Sequence, residues 1–345
     1  MRIGIPREVK DGEHRVALSP NAVRGLGGVV IEPGAGEGVG FSDEDYRRAG
    51  ASLGNAWECE LVLKVKELQE SEYGRPRPGQ IVFGFQHFGP DPELLDAALA
   101  SGATFIAYET VGQASGRLAI LAPMSAIAGR LAVQVGAWCL LKQNGGSGVL
   151  LPGLDGVAPG KVVILGAGNV GSNALAVAHG IGAQVTVFAK TEKRFTALKA
   201  KYPRAGFATG RPVVQNADLV IAGVLTPGQM SPKIIKRDDL RRMRKGSALV
   251  DVGIDQGGIA ETSRATSHSA PIYIEEGVVH YCVPNMPAAC ARTASLALEG
   301  AVLPFLRKLL RNEIDADLGT GIQVKAGKVT HEQLARDTGR AYSRL

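Results

Sequence analysis

The stretch Val162–Lys190 reads VVILGAGNVGSNALAVAHGIGAQVTVFAK. A β-branched apolar run ends at Leu165, Gly166-Ala167-Gly168-Asn169-Val170-Gly171 follows, then a helix-forming segment and a second apolar run. Strand, glycine turn, helix and strand make one βαβ unit, and G-x-G-x-x-G at its turn is a dinucleotide fingerprint. The glycines permit a tight turn and close approach of a pyrophosphate to the N–H groups at the helix start. Glycine-rich turns alone are common, but this one follows a clean strand and opens a helix. A dinucleotide site at Gly166, Gly168, Asn169, Val170 and Gly171 is the reading this context favours.

The second strand ends without the acid that usually binds a ribose 2′-OH about 20 residues on. Ala189 stands there, followed by Lys190, Thr191, Lys193 and Arg194. A carboxylate would repel a 2′-phosphate, whereas Ala beside cations does not. One reading is therefore use of NADP(H) at least comparable with NAD(H). The other is that these charges merely solvate a helix start.

Working outward, short β-rich runs alternate with helical patterns. Strands are expected near 2–6, 28–33, 61–65, 80–86 and 104–108, and again near 161–165, 185–189, 218–222, 247–252 and 279–283. This alternation predicts an α/β chain with two doubly wound, Rossmann-like parallel sheets and a ligand cleft between them. The segment from Met124 to Leu141 reads as one helix, apolar nearly all round and hence buried between domains or subunits. After Asn285 the chain turns helical and no further strand series is expected, so its end should return to the first domain. The expected division is 1–119 with 292–345, and 120–291.

The chain has 345 residues, 45% of them hydrophobic and 21% charged, enough to bury two cores. The longest apolar candidate for a membrane span, Leu118 to Leu141, is interrupted by Pro123, Arg130 and Gln134. With no apolar leader at the N-terminus, a cytoplasmic protein is the default expectation. The net charge of +6 includes no basic tract beyond Arg241–Lys245, so neither nucleic acid nor membrane is an expected partner. Four cysteines without a Cys-x-x-Cys and six histidines without ligand spacing predict reduced thiols and no metal site.

Three polar residues follow predicted strands: Lys66, His87 and Asp255. Open α/β sheets form their ligand crevice at strand carboxyl ends. Singly, each would be read as a loop charge in solvent; together they favour one cleft. Leu225-Thr226-Pro227-Gly228 and Asn285-Met286 also follow strands and are candidates for its cofactor side.

MRIGIPREVKDGEHRVALSP (1–20), LVLKVKE (61–67), IAYETV (106–111), LAPMSAIAGRLAVQVGA (121–137), VDVGIDQGGIAETSRATSHSAPIY (250–273) and HYCVPNMPAACARTAS (280–295) occur in order. With them the chain resembles alanine dehydrogenase over almost its whole length. The resemblance implies two Rossmann-like domains, the substrate domain built from both chain ends. It implies Arg15 and Lys66 as substrate ligands and His87 and Asp255 as catalytic residues. On the cofactor side Ser125 and Val224 are candidates beside Leu225, Asn285 and Met286. The related transhydrogenase cofactor-binding subunit shares the N-terminal pattern but lacks the histidine. This sequence departs from the alanine dehydrogenase pattern at Ala126, at Gln86 and Phe88 around the histidine, at Leu68 after Glu67, at Pro284 and at Ala189.

The expected function is an NAD(P)-dependent amino-acid dehydrogenase. It would join a 2-oxo acid, pyruvate foremost, to ammonia or another amine by hydride transfer. Arg15 suits a carboxylate because its planar fork matches one bidentately. Lys66 would hydrogen-bond a carboxylate or carbonyl oxygen, His87 would shuttle protons and Asp255 would position ammonia or water. The alternatives are an offshoot reducing a different imine or oxo acid, or a catalytically silent dinucleotide-binding subunit. A homo-oligomer is expected from the apolar helix.

Overall fold

Valine-, isoleucine- and leucine-rich runs buried on both faces form parallel strands. In the computed structural model, residues 1–224 and 231–345 are described, and they form two compact units, 1–124 with 288–345, and 125–287. In the first unit β1 (Ile3–Ile5), β2 (Val29–Ile31), β3 (Ser52–Leu53), β4 (Leu61–Leu63), β5 (Ile81–Gly84) and β6 (Thr104–Ala107) are all parallel. Register sets Leu61 of β4 beside Ile81 of β5, and Phe83 of β5 beside Ile106 of β6. The carboxyl ends of these three strands therefore lie side by side, just before Lys66, His87 and Glu109.

The second unit contains β7 (Lys161–Leu165), β8 (Gln184–Ala189), β9 (Gly206–Thr209), β10 (Leu219–Ala222), β11 (Ala248–Asp251), β12 (Ile272–Glu275) and β13 (Val278–Tyr281). Their order is β12-β13-β11-β10-β7-β8-β9, parallel except for β12, which pairs antiparallel with β13 at the edge. The order reverses at β7, so the glycine loop after this strand sits at a topological switch point, where such sheets bind ligands. The helix Asn169–Gly180 follows it and packs on β7 and β8.

The end of the chain corrects one expectation. After the helix Ala291–Leu310, two further strands, β14 (Ile322–Lys325) and β15 (Lys328–Val329), form a hairpin, and β14 adds antiparallel to β6. Ala326 and Gly327 at its turn both have positive φ, 49° and 76°, which matches a tight two-residue hairpin. The first sheet thus reads β15-β14-β6-β5-β4-β1-β2-β3.

Two helices bear on other expectations. The helix Leu121–Cys139 is not covered all round: Arg130, Gln134 and Trp138, spaced by four, are exposed along one face. Conversely, Met286–Leu310 is long and apolar enough to cross a membrane by length and composition. Its Ala294, Leu298, Val302, Leu306 and Leu309 are buried in the first unit, and its Glu299 accepts from the Ser19 backbone N–H and hydroxyl.

Candidate active site

In the first unit, Lys66 and His87 meet at Glu67. Lys66 Nζ lies 3.2 Å from Glu67 Oε2, and His87 Nε2 lies 4.0 Å from the same oxygen. Lys10 donates to the other oxygen, Oε1. Burial alone would raise the Glu67 carboxyl, but Lys66 foremost, with His87 and Lys10, holds it down at about 2. Glu67 is thus an anion held between two lysines, Lys66 and Lys10.

His87 has φ of +48°, the left-handed region that a residue with a β-carbon seldom occupies. Its ring stacks parallel on Phe85, centroids 5.7 Å apart, and 41% of its side chain stays exposed. Desolvation lowers the imidazole first; Lys66 adds to this, Glu67 opposes it, and Lys10 and Arg15 lower it further, to about 3. The ring is therefore neutral at physiological pH and begins as a proton acceptor.

Arg15 is buried, with Nε 2.7 Å from Glu13 Oε1 and Nη2 2.6 Å from Oε2, while Nη1 donates to the sulfur of Met124 at 3.2 Å. Behind these residues Lys64, 1% exposed, pairs with Glu72 at 2.8 Å and Glu8 at 3.3 Å. Glu8 in turn accepts the Val65 backbone N–H at 2.7 Å and that of Lys66 at 3.4 Å, fixing the chain after β4. Phe88 lies in the hydrophobic core against Phe105, and Gln86 is buried with its amide donating to Gly84 O.

In the second unit the glycine loop is fixed by contacts that exclude side chains. Gly166 has φ of +103°, and a β-carbon there would stand 2.8 Å from Gly223 O and 3.4 Å from Val224 N. A β-carbon on Gly171 would stand 1.8 Å from Gly166 O, and one on Gly129 2.1 Å from Val170 O. The start of the helix Asn169–Gly180 is an open cradle: Gly168 caps it with no side chain over the first N–H groups. Those groups fit a dinucleotide pyrophosphate. Ala189 is half-buried at the end of β8, and Lys190, Lys193 and Arg194 are exposed after it. Ser125, Val224 and Asn285 are half-buried and Met286 is buried. Leu225, with Thr226, Pro227 and Gly228, lies outside the described residues.

Asp255 is exposed on a short 3-10 helix, Val252–Gln256, directly after β11. Its loop is organised by Asp251, whose buried carboxylate accepts from Gly253 N (3.1 Å), Ile259 N (2.6 Å), Ala260 N (3.3 Å) and Ser263 Oγ (2.5 Å). The first unit therefore gathers Arg15, Lys66 and His87, and the second carries the glycine loop, Ala189 and Asp255. Glu13, Glu67, Glu109 and Asp251 escaped the reading of the sequence. Each is an acid at or near a strand end or beside a predicted site cation, a signal too common to single out alone.

The chain matches two family models, "Alanine dehydrogenase/PNT, N-terminal domain" over residues 4–128 and "Alanine dehydrogenase/PNT, C-terminal domain" over residues 132–332. It is 46% identical to an alanine dehydrogenase of Halomonas elongata, across 99% of this chain and 98% of that one. An alanine dehydrogenase of Mycolicibacterium smegmatis is 43% identical, across 98% and 96%. Among solved structures, an L-alanine dehydrogenase superposes with a TM-score of 0.94 at 42% identity, covering 98% of this chain and 99% of that one. A transhydrogenase from Sinorhizobium meliloti follows at 0.84 and 26%, covering 96% and 99%. With both models matched in order and these relatives aligned end to end, the chain belongs to the alanine dehydrogenase/PNT family.

Proposed function

We propose that this chain is an alanine dehydrogenase, joining pyruvate and ammonia to give L-alanine, and the reverse. Unit 125–287 holds the dinucleotide on its glycine loop, and unit 1–124 with 288–345 holds the oxo acid. When bound, the nicotinamide cofactor supplies or takes up the hydride. The observation that carries the reading is the convergence of His87 and Lys66 on the buried Glu67, in a chain 46% identical to a protein named alanine dehydrogenase. Retention of His87 together with Asp255 speaks against a silent dinucleotide-binding subunit.

Arg15 clamps the substrate carboxylate, and Lys66 donates to the carbonyl oxygen. As ammonia adds to that carbonyl, His87 accepts one proton from the nitrogen and passes it to the carbonyl oxygen, making the hydroxyl of the carbinolamine. A second proton, taken from solvent through His87, lets that hydroxyl leave as water and the iminium form. Asp255 orients ammonia on the way in and water on the way out. In oxidation the same groups act in reverse, with His87 again accepting the proton that attacking water gives up. Ser125, Val224, Leu225, Asn285 and Met286 are assigned to the cofactor side.

Ala189 with Lys190, Lys193 and Arg194 supports use of NADPH at least comparable with NADH. The exposed ridge Arg130, Gln134 and Trp138 supports a homo-oligomer with this helix partly at the interface. Light scattering at micromolar concentration checks it, and a stable monomer would contradict it. The function itself is tested by following NADH and NADPH oxidation with a panel of 2-oxo acids and ammonium, with the product identified. Alanine formed from pyruvate with the highest kcat/KM supports the proposal. A different preferred acid would favour an offshoot, and no turnover with any would favour the silent subunit.

A further inference from the structure

The polypeptide at His87 is bent in an uncommon way, and one side chain accounts for the bend. Gln86 and His87 point successive backbone N–H groups to the same side, and both are accepted by the carboxylate of Glu109. His87 N lies 2.8 Å from Oε1, and Gln86 N lies 3.2 Å from each oxygen. Two adjacent N–H groups turned inward in this way form a concave anion-binding nest. The φ of +48° at His87 is part of that geometry. In most proteins glycine would occupy such a position, at little steric cost. Here glycine would remove the imidazole, so a residue with a β-carbon must be held in a conformation it disfavours. Glu109 follows β6 and His87 follows β5, neighbours in register at Gly84 and Ala107, so the acid comes from the strand beside the bend.

We infer that Glu109 is a positioning residue: its carboxylate, seated in the Gln86–His87 backbone nest, sets the direction in which the His87 ring leaves the sheet. The inference rests on the role proposed for His87. Glu109 touches the histidine backbone through the bonds named above, and it acts on the reaction through His87. Without it the two N–H groups lose their acceptor and the backbone at His87 relaxes toward negative φ, turning the ring off Phe85 and away from Lys66. Misplacing a reacting group by about 1 Å can cost on the order of 10²-fold in rate.

A double-mutant cycle in the full-length protein tests this. Glu109→Ala should lower kcat by on the order of 10²-fold, with KM for pyruvate and the Kd for NADH changed within about twofold. In a His87→Ala background the same substitution should change the residual kcat by no more than about twofold, since no ring remains to be aimed. Glu109→Gln keeps the volume and one acceptor oxygen and should lose less than Glu109→Ala. If Glu109→Ala is insoluble, the cycle run with Glu109→Gln decides by the same criterion. An unchanged kcat in either Glu109 variant that folds, or equal losses in both backgrounds, would overturn the positioning role and leave that of His87 standing. A fully active His87→Ala protein would overturn both.

Discussion

Arg15 is clasped by Glu13, Nε to Oε1 at 2.7 Å and Nη2 to Oε2 at 2.6 Å, with both side chains almost wholly buried. The pair orients the guanidinium, and removing the arginine takes the bidentate cationic partner from a buried carboxylate. Arg15→Ala should therefore do two things. KM for pyruvate should rise sharply, and stability should fall by about 3–5 kcal/mol, the usual cost of breaking a buried ion pair from one side. The double substitution Glu13→Gln/Arg15→Met should recover much of the stability while KM stays high. Thermal unfolding and steady-state kinetics on the two variants separate these effects. Recovery of KM by the double variant would show that Arg15 does not hold the substrate.

His87 gives a stability signature in pH. Its imidazole lies well below its ordinary value of 6.5 in the folded chain, through desolvation and the charges of Lys66, Lys10 and Arg15 against Glu67. Below pH 6.5 the unfolded chain takes up a proton that the folded chain refuses, so this group's contribution is present above 6.5 and is lost as pH falls toward 3. His87→Gln should escape that loss. Its Tm relative to wild type should climb as pH is lowered from 7.5 to about 4.5, by a modest amount because the ring is 41% exposed. A Tm difference independent of pH would show that the histidine is not depressed.

The proposed cofactor preference is tested at Ala189. Ala189→Asp should restore a charge-assisted ribose hydrogen bond worth roughly 1.5–3 kcal/mol, and repel a 2′-phosphate. The ratio of kcat/KM for NADH over NADPH should rise about ten- to a hundredfold. A ratio that does not move would place this residue away from the ribose.

The glycine loop can be probed by two alanines on one helix. Gly171→Ala puts a β-carbon 1.8 Å from Gly166 O, forcing backbone apart where the cofactor should bind. Overpacking of this kind costs about 1–3 kcal/mol, and the NADH Kd from fluorescence titration should weaken more than tenfold. Gly180→Ala, with nothing within 4 Å of the added carbon, should leave Kd unchanged and Tm the same or higher. Equal effects from the two would remove the loop from the binding site.

Ten of the parallel strands were legible because each is a short, nearly continuous apolar run bounded by turn residues, whereas the parallel edge strands β3 and β9, short and not fully buried, were missed. The hairpin β14–β15 was not: Gln323, Lys325, Lys328 and Gly327 interrupt any such run, and its strand character comes from pairing with β6. Residues at strand ends, Lys66, His87 and Asp255, could be marked from position alone. The acids that fix them could not. Glu109 acts on backbone N–H groups 22 and 23 residues away and Asp251 on ones 2 to 9 residues away, and which N–H a carboxylate finds depends on packing. Phe88, a departure from the family pattern beside His87, packs into the core, which its position in the sequence did not reveal.

The account stands most directly on the turnover of His87→Ala, measured with pyruvate and ammonium at saturation and with saturating cofactor. General acid–base groups contribute on the order of 10²–10⁴-fold, so kcat should fall by that amount while NADH still binds within about twofold of wild type. A kcat near wild type would contradict the account: His87 would then be a partly exposed loop histidine, and the proton shuttle would lie elsewhere.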